Sequence, residues 1–245
     1  MKVRGRRECA DCGERWSYYE TGEVACPACG GMRSTGIGDR ALHTDGVAEF
    51  DLTPIRARLD EESVGDVARE VAHRCRAYTT ARGFVDSGSL LPLDGTYLAA
   101  TELRTAIELY DRSIGPARFS GTGDEEESYL LSLLQGADRG ERPPPTEVPR
   151  GMWGARGLAS AAAIEAYRRD LRRWLDEREG TERTETDGFL GRVADHRRRI
   201  EALDGEVEPE VGDRLVEAVR DLARYLTEAD ETALLRAEER LDRLG

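Results

Sequence analysis

The sequence predicts a mainly α protein that opens with a small β module and closes with a helical hairpin or three-helix bundle. Three observations carry this. Four of the five cysteines stand in two Cys-x-x-Cys pairs within residues 9–29. Between residues 63 and 179, apolar residues recur at three- and four-residue steps, the period of a buried helical face. From Phe189 onward, three short apolar stripes follow one another with brief connectors, as antiparallel helices require.

The N-terminal module spans residues 1–40. Cys9/Cys12 and Cys26/Cys29 are separated by thirteen residues. A Cys-x-x-Cys turn aims two thiolates at one ion, and two such turns complete a tetrahedron with metal–sulfur distances of about 2.3 Å. Gly13 and Gly30 follow the second cysteine of each pair and permit the left-handed backbone that bends the chain around the metal. Pro27 stiffens the second turn. The intervening RWSYYETGEVA reads as strand, Gly22 turn, strand, with Trp16 and Tyr18 on one face. Some forty residues bury too little apolar surface to fold alone; metal binding, about 10–16 kcal/mol, makes up the difference. The module is therefore read as a β zinc ribbon with Cys9, Cys12, Cys26 and Cys29 as ligands. Redox dithiols, by contrast, sit at helix starts in α/β folds, and no such sheet is predicted. Zinc and iron both accept four thiolates. The pattern is similar to TFIIB-type zinc ribbons and to the rubredoxin-like domain of rubrerythrins, so iron is the alternative. A rubrerythrin also needs two Glu-x-x-His motifs in a helical bundle. Glu70-x-x-His73 is one; the three histidines of this sequence provide no second, and Glu70 and His73 read as a solvated helix face.

Residues 41–61 read as a connector. A helical domain spans 62–180. Ser63 opens its first helix, whose inner face holds Val64, Val67, Ala68, Val71, Cys75 and Tyr78. Cys75 on that face reads as a buried thiol. Residues 85–95 read as a loop, Thr96–Ser113 as a second helix, 115–123 as irregular (Gly115, Pro116, Gly121, Gly123), and 124–136 as a third helix. Pro143, Pro144 and Pro145 mark a Pro-rich loop over 140–150. A fourth helix is expected over Leu158–Glu179, with Arg168, Arg169, Arg172 and Arg173 as a wet basic strip. GTERTETDG (180–188) reads as a polar linker, and 187–245 as the C-terminal antiparallel helices, with Thr227-x-x-Asp230 resembling a capping box.

Acidic residues outnumber basic ones by 49 to 36, so the net charge is −13. Lys2 is the only lysine. High charge with little lysine fits a protein bathed in concentrated salt; GC-rich codon usage is the blander source of the arginines, and the two are compatible. Such a chain is a poor general nucleic-acid binder. The ribbon carries little of the negative charge, and Arg4, Arg6 and Arg7 form its one basic edge, the candidate contact for nucleic acid or a partner. There is no signal-peptide pattern and no window of 18 apolar residues, so a cytoplasmic protein without membrane contact is expected. No P-loop, G-x-G-x-x-G, G-x-S-x-G or H-E-x-x-H motif occurs, and a closed four-thiolate site leaves no open metal position. The expectation is therefore a non-enzyme.

The opening MKVRGRRECADCGERWSYYETG, the CPACG knuckle, and the blocks DLTP (51–54), RGFVDSGSL (82–90), LDGTYLAA (93–100) and GERPPP (140–145) resemble an uncharacterised haloarchaeal family with an N-terminal TFIIB-type zinc ribbon and a helical remainder. The resemblance implies zinc at the four cysteines and no known reaction. The combined expectation is a docking adaptor or regulator with a protein partner, connected with transcription. A rubredoxin-like electron-transfer protein is the alternative.

Overall fold

A computed structural model of the chain describes residues 2–114, 124–178 and 182–244. The irregular stretch expected at 115–123 and the start of the linker expected at 180–188 lie outside the described residues.

The elements in chain order begin with β1 (Lys2–Val3), β2 (Arg6–Cys9), β3 (Arg15–Ser17), a single turn α1 (Tyr18–Thr21), β4 (Ser34–Ile37) and β5 (Ala41–Leu42). β2 is the centre of a three-stranded antiparallel sheet ordered β3-β2-β4, and β1 pairs antiparallel with β5. The strand expected over residues 23–25 is absent. Its place beside β2 is taken by β4, which follows the second knuckle. The chain leaves the sheet at Tyr18, and in the turn that follows the Tyr19 hydroxyl donates to Val3 O at 3.1 Å and its ring lies 3.6 Å from that of His43.

The helices follow: α2 (Thr53–Arg56), α3 (Val64–Ala81), the hairpin β6 (Val85–Asp86) and β7 (Ser89–Leu90), α4 (Gly95–Ile114), α5 (Asp124–Gly136), α6 (Trp153–Asp176), α7 (Glu182–Ala202), α8 (Pro209–Glu228) and α9 (Glu231–Asp242). α3 starts as expected. Ser63 Oγ accepts from the Asp66 amide while the Asp66 carboxylate accepts from the Ser63 amide, a full capping box. Its apolar stripe, Val64 to Tyr78, is buried, and burial pushes the Cys75 thiol up to about 12.

Four boundaries differ from the sequence reading. The loop at 85–95 contains a two-residue hairpin turn in which Ser87 and Gly88 both have positive φ; strands of two residues are too short to show alternation. α6 begins at Trp153, not Leu158, although Gly154 and Gly157 fall in its first turns. Those glycines serve packing. A Cβ on Gly157 would stand 2.3 Å from Gly205 O, so α6 and the turn before α8 meet backbone to backbone. α7 already begins at Glu182, within the expected polar linker. Finally, Thr227 belongs to α8, and Asp230 itself caps α9, accepting from the amides of Thr232 and Ala233.

One apolar core runs through the helices. α6 packs on α4, α7 and α8, and Leu103, Ile164, Leu171, Val193 and Leu222 belong to the same buried cluster. The C-terminal helices continue this core. So do Leu42, Leu52 and Ile55 of the expected connector; Leu52 and Ile55 are fully buried.

Candidate metal centre

The ribbon positions its cysteines with two near-identical turns. At the first, Gly13 N donates to Cys9 O at 3.1 Å and Cys9 N to Glu14 O at 2.8 Å. At the second, Gly30 N donates to Cys26 O at 2.8 Å and Cys26 N to Gly31 O at 2.9 Å. Gly13 and Gly30 have φ of 76° and 70°, and nothing lies within 4 Å of a Cβ at either. They are glycines for their backbone angle rather than for space. β2 delivers Cys9 and the chain enters β4 from the second turn, so the central sheet holds both turns in register.

The four Sγ atoms lie within 4.8 Å of one another. Cys9 Sγ is 3.6 Å from Cys29 Sγ, and Cys12 Sγ is 3.6 Å from Cys26 Sγ. Metal–sulfur bonds of about 2.3 Å imply tetrahedral edges of about 3.8 Å. The sulfurs therefore stand at separations that one tetrahedral ion accommodates, and the donor set is the soft one that zinc and iron share. Cys9 and Cys26 are buried; Cys12 and Cys29 are exposed. The amides of Cys12 and Asp11 draw the Cys9 thiol down to about 7. Cys12 moves the other way, up to about 12. The Glu14 amide pulls it down, but hydrogen bonding with the neighbouring sulfurs of Cys29 and Cys26, together with burial, outweighs that pull. A cation removes this conflict.

Around the sulfurs, Gly31 packs so closely that a Cβ there would stand 3.2 Å from Cys29 Sγ and 2.8 Å from Asp11 Oδ2. Asp11 pairs with Arg33 across the two turns. Trp16 is buried beneath the site and donates from Nε1 to Glu23 O at 3.2 Å. The expected basic edge is partly spent inside the ribbon. Arg7 donates to Ser34 Oγ at 2.8 Å, Arg4 reaches Gly36 O at 3.5 Å, and both Arg4 and Arg6 are exposed.

The ribbon is tied to the helices by β5, whose Leu42 O accepts from Gly88 N at 2.8 Å, and by Lys2, which pairs with Glu177 at 2.5 Å. Elsewhere, Glu70 pairs with Arg58 and Arg74 and His73 is exposed, a solvated face. In the arginine strip, Arg168 pairs with Glu165 and Arg173 with Asp170.

Sequence reasoning missed a second polar centre. Glu102 and Arg156 are buried within the helical core; Arg142 of the Pro-rich loop and Asp213 of α8 close a network with them. Tyr129 donates to Glu102 as well. The available signal was Arg156 itself, a lone charge in the small-residue stretch GARGLASAAA.

No helix of the described residues is long and apolar enough to cross a membrane. No curated protein and no solved structure matches the chain. The model of one family matches residues 1–241, nearly its entire length, and on that match the chain belongs to DUF7117, a family of unknown function.

Proposed function

We propose that the chain is a non-enzymatic docking protein whose ribbon, folded around one structural zinc ion on Cys9, Cys12, Cys26 and Cys29, presents a recognition surface to a protein partner, as the ribbons of the transcription machinery do. Zinc is the reading for the ion because a closed thiolate set suits a structural site. With every tetrahedral position filled by sulfur, the ion supplies folding energy and rigidity.

The observation that carries the docking role is where apolar surface is left exposed. Among the described residues, Tyr18, Val24 and Met32 of the ribbon are large exposed apolar side chains, and Val47, packed against Gly22, is another. Met32, beside the second knuckle, is 70% exposed. Only Leu203 and Leu235 join them from the helices. Exposed apolar side chains gathered on one small module of a highly charged chain are what a protein-docking surface would use. Arg4 and Arg6 of the same ribbon are exposed and suit an acidic partner surface. The lysine-poor acidic exterior supports a working environment of concentrated salt in the cytoplasm of a haloarchaeon.

The test compares partner capture from the host in concentrated salt by the intact chain, by Met32→Asp/Val24→Asp and by Cys26→Ser. The expected result is one stoichiometric partner that both variants lose, while the Met32→Asp/Val24→Asp protein retains its metal. Identical partners for all three would overturn the reading. The exposed sulfurs of Cys12 and Cys29 favour a second reading, electron transfer at an iron site, because they bring the cluster to the surface. Visible absorbance from iron–thiolate bonds, with reversible reduction, would identify it; colourless protein containing one zinc would exclude it.

A further inference from the structure

Each cysteine turn pairs a buried residue with an exposed one: Cys9 and Cys26 are buried, Cys12 and Cys29 exposed. Gly13 and Gly30 follow the exposed cysteines, and nothing lies within 4 Å of a Cβ at either, so the outer side of each turn is uncrowded. Across the site each exposed cysteine meets a buried one from the other turn. Cys12 Sγ stands 3.6 Å from Cys26 Sγ, and Cys29 Sγ 3.6 Å from Cys9 Sγ. Thiol oxidation is reversible where an accessible thiolate has a second cysteine beside it to resolve the first oxidation product. Cys75 offers the contrast: it is 0% exposed on α3, and buried thiols are inert.

The sheet keeps the two turns together while the sulfurs move. β2 pairs with β4, Ala10 N donates to Arg33 O at 2.9 Å, and Asp11 pairs with Arg33. Closing 3.6 Å to an S–S bond of about 2.05 Å takes about 1.5 Å of side-chain movement. Building on the reading of the ribbon as a zinc-held docking module, we propose that it is a reversible oxidation site: hydrogen peroxide joins Cys12 to Cys26 and Cys29 to Cys9, and the ribbon gives up its ion until the two cross-turn disulfides are reduced. The Cys12 thiolate attacks a peroxide oxygen; the O–O bond breaks, hydroxide leaves, and Cys12 becomes a sulfenic acid. The Cys26 thiolate then attacks the Cys12 sulfur; the S–S bond forms, the S–O bond breaks, and a second hydroxide leaves. The two thiolates have lost two electrons and one peroxide has gained them. Cys29 and Cys9 repeat the sequence with a second peroxide, and no thiolate is left to hold a cation.

The test treats the zinc-loaded full chain with hydrogen peroxide. Zinc is followed with a colorimetric chelator, thiols by alkylation and disulfides by peptide mass. Trypsin cuts after Arg7, Arg15 and Arg33, which puts Cys9 and Cys12 on one peptide and Cys26 and Cys29 on another. Cross-turn bonds join the two peptides; within-turn bonds do not. Expected are the loss of one zinc and four thiols for two peroxides, joined peptides with bonds at Cys12–Cys26 and Cys9–Cys29, and recovery of thiols and zinc binding after dithiothreitol and added zinc. Cys75 should react slower by at least ~10-fold. Met32, 70% exposed beside the second turn, reports through its sulfoxide that peroxide has reached the ribbon. Within-turn disulfides, a Cys9–Cys26 bond, thiols carried on to sulfinic or sulfonic acid, or zinc and thiols intact once Met32 has become the sulfoxide would overturn the proposal. Partner capture plays no part in these readouts, so inert thiols on a zinc-loaded chain sink the oxidation site and leave the docking role standing. A chain that holds no zinc before peroxide is added sinks both.

Discussion

Arg156, 2% exposed, holds both carboxylate oxygens of the fully buried Glu102, at 2.8 and 3.0 Å. Arg156 also reaches Asp213 at 2.6 Å, and Arg142 joins both acids, so two cations and two anions cancel inside the helical core. The network ties α4, α6, α8 and the Pro-rich loop to one point. Burying charge is costly, and removing one partner leaves the others uncompensated. Glu102→Ala is therefore expected to cost about 3–5 kcal/mol, read from denaturant unfolding. Glu102→Met/Arg156→Met should cost less than the two single changes added, because Arg142 keeps Asp213 as a partner.

The glycine pair at α6 gives a second expectation. A Cβ on Gly157 would press on the carbonyl of Gly205, and neither backbone can turn aside. Gly157→Ala should destabilise the protein by about 1–3 kcal/mol, as overpacking does. At Gly13 the space is open but φ is 76°. Gly13→Ala should cost about 1–2 kcal/mol through backbone strain alone. Its effect should appear in metal affinity, whereas that of Gly157→Ala should appear in helical unfolding.

These two sites also show how far the sequence could be read. Local signals were legible: the Cys-x-x-Cys-Gly pairs located the sulfurs, and the stripe from Val64 to Tyr78 located the buried face of α3. Each depends on residues near one another in the chain. Gly157 and Gly205 meet across 48 positions, and glycines in GMWGARG look like a loop until the approaching backbone is seen. The Glu102–Arg156 pair is likewise long-range, and nothing in either residue's neighbourhood names the other. β4 is not legible in the sequence for the same reason. Its strand is set by pairing with β2 rather than by the weak alternation of STGI. At the metal centre the ligand cluster was legible, but the Arg33–Asp11 clasp and the Gly31 contact were not.

Metal affinity should rise with pH. The binding form of cysteine is the thiolate. In the metal-free chain Cys9 titrates near 7 and Cys12 near 12, so at neutral pH Cys12 still carries a proton that the ion must displace. Raising the pH removes that competition; lowering it through 7 adds Cys9 to the protonated set and weakens binding further. Zinc titrations in buffers of different ionisation enthalpy should show net proton release. A chelator should strip the ion more readily at pH 6 than at pH 8. Affinity independent of pH would rule out thiolate ligation. Loss of metal should abolish amide protection in the ribbon while α3–α6 stay protected, since the core of Trp16, Cys9 and Cys26 is separate from the helical one.

Asp221 governs how the last helix is held. It is fully buried on α8 and accepts from Arg224 at 2.8 Å and from Arg240 of α9 at 2.8 Å, with Arg236 at 3.6 Å. On α9, Ala233, Ala237 and Leu241 are buried and Leu234 packs against the same core. A twelve-residue helix is marginal without tertiary support; besides its apolar packing and the Arg192 pairs with Glu238 and Asp242, α9 is held by this carboxylate and by the Asp230 cap. Asp221→Ala should release α9 from α8, exposing its amides to exchange, while the protection of α4 and α6 is unchanged. Asp230→Ala should cost about 0.5–2 kcal/mol, the worth of an N-cap, and fray only the first turn. If Asp221→Ala instead lowered protection evenly across all helices, α8 and α9 would be part of one cooperative unit with the core, and the carboxylate would not be the local clasp that its three arginines imply.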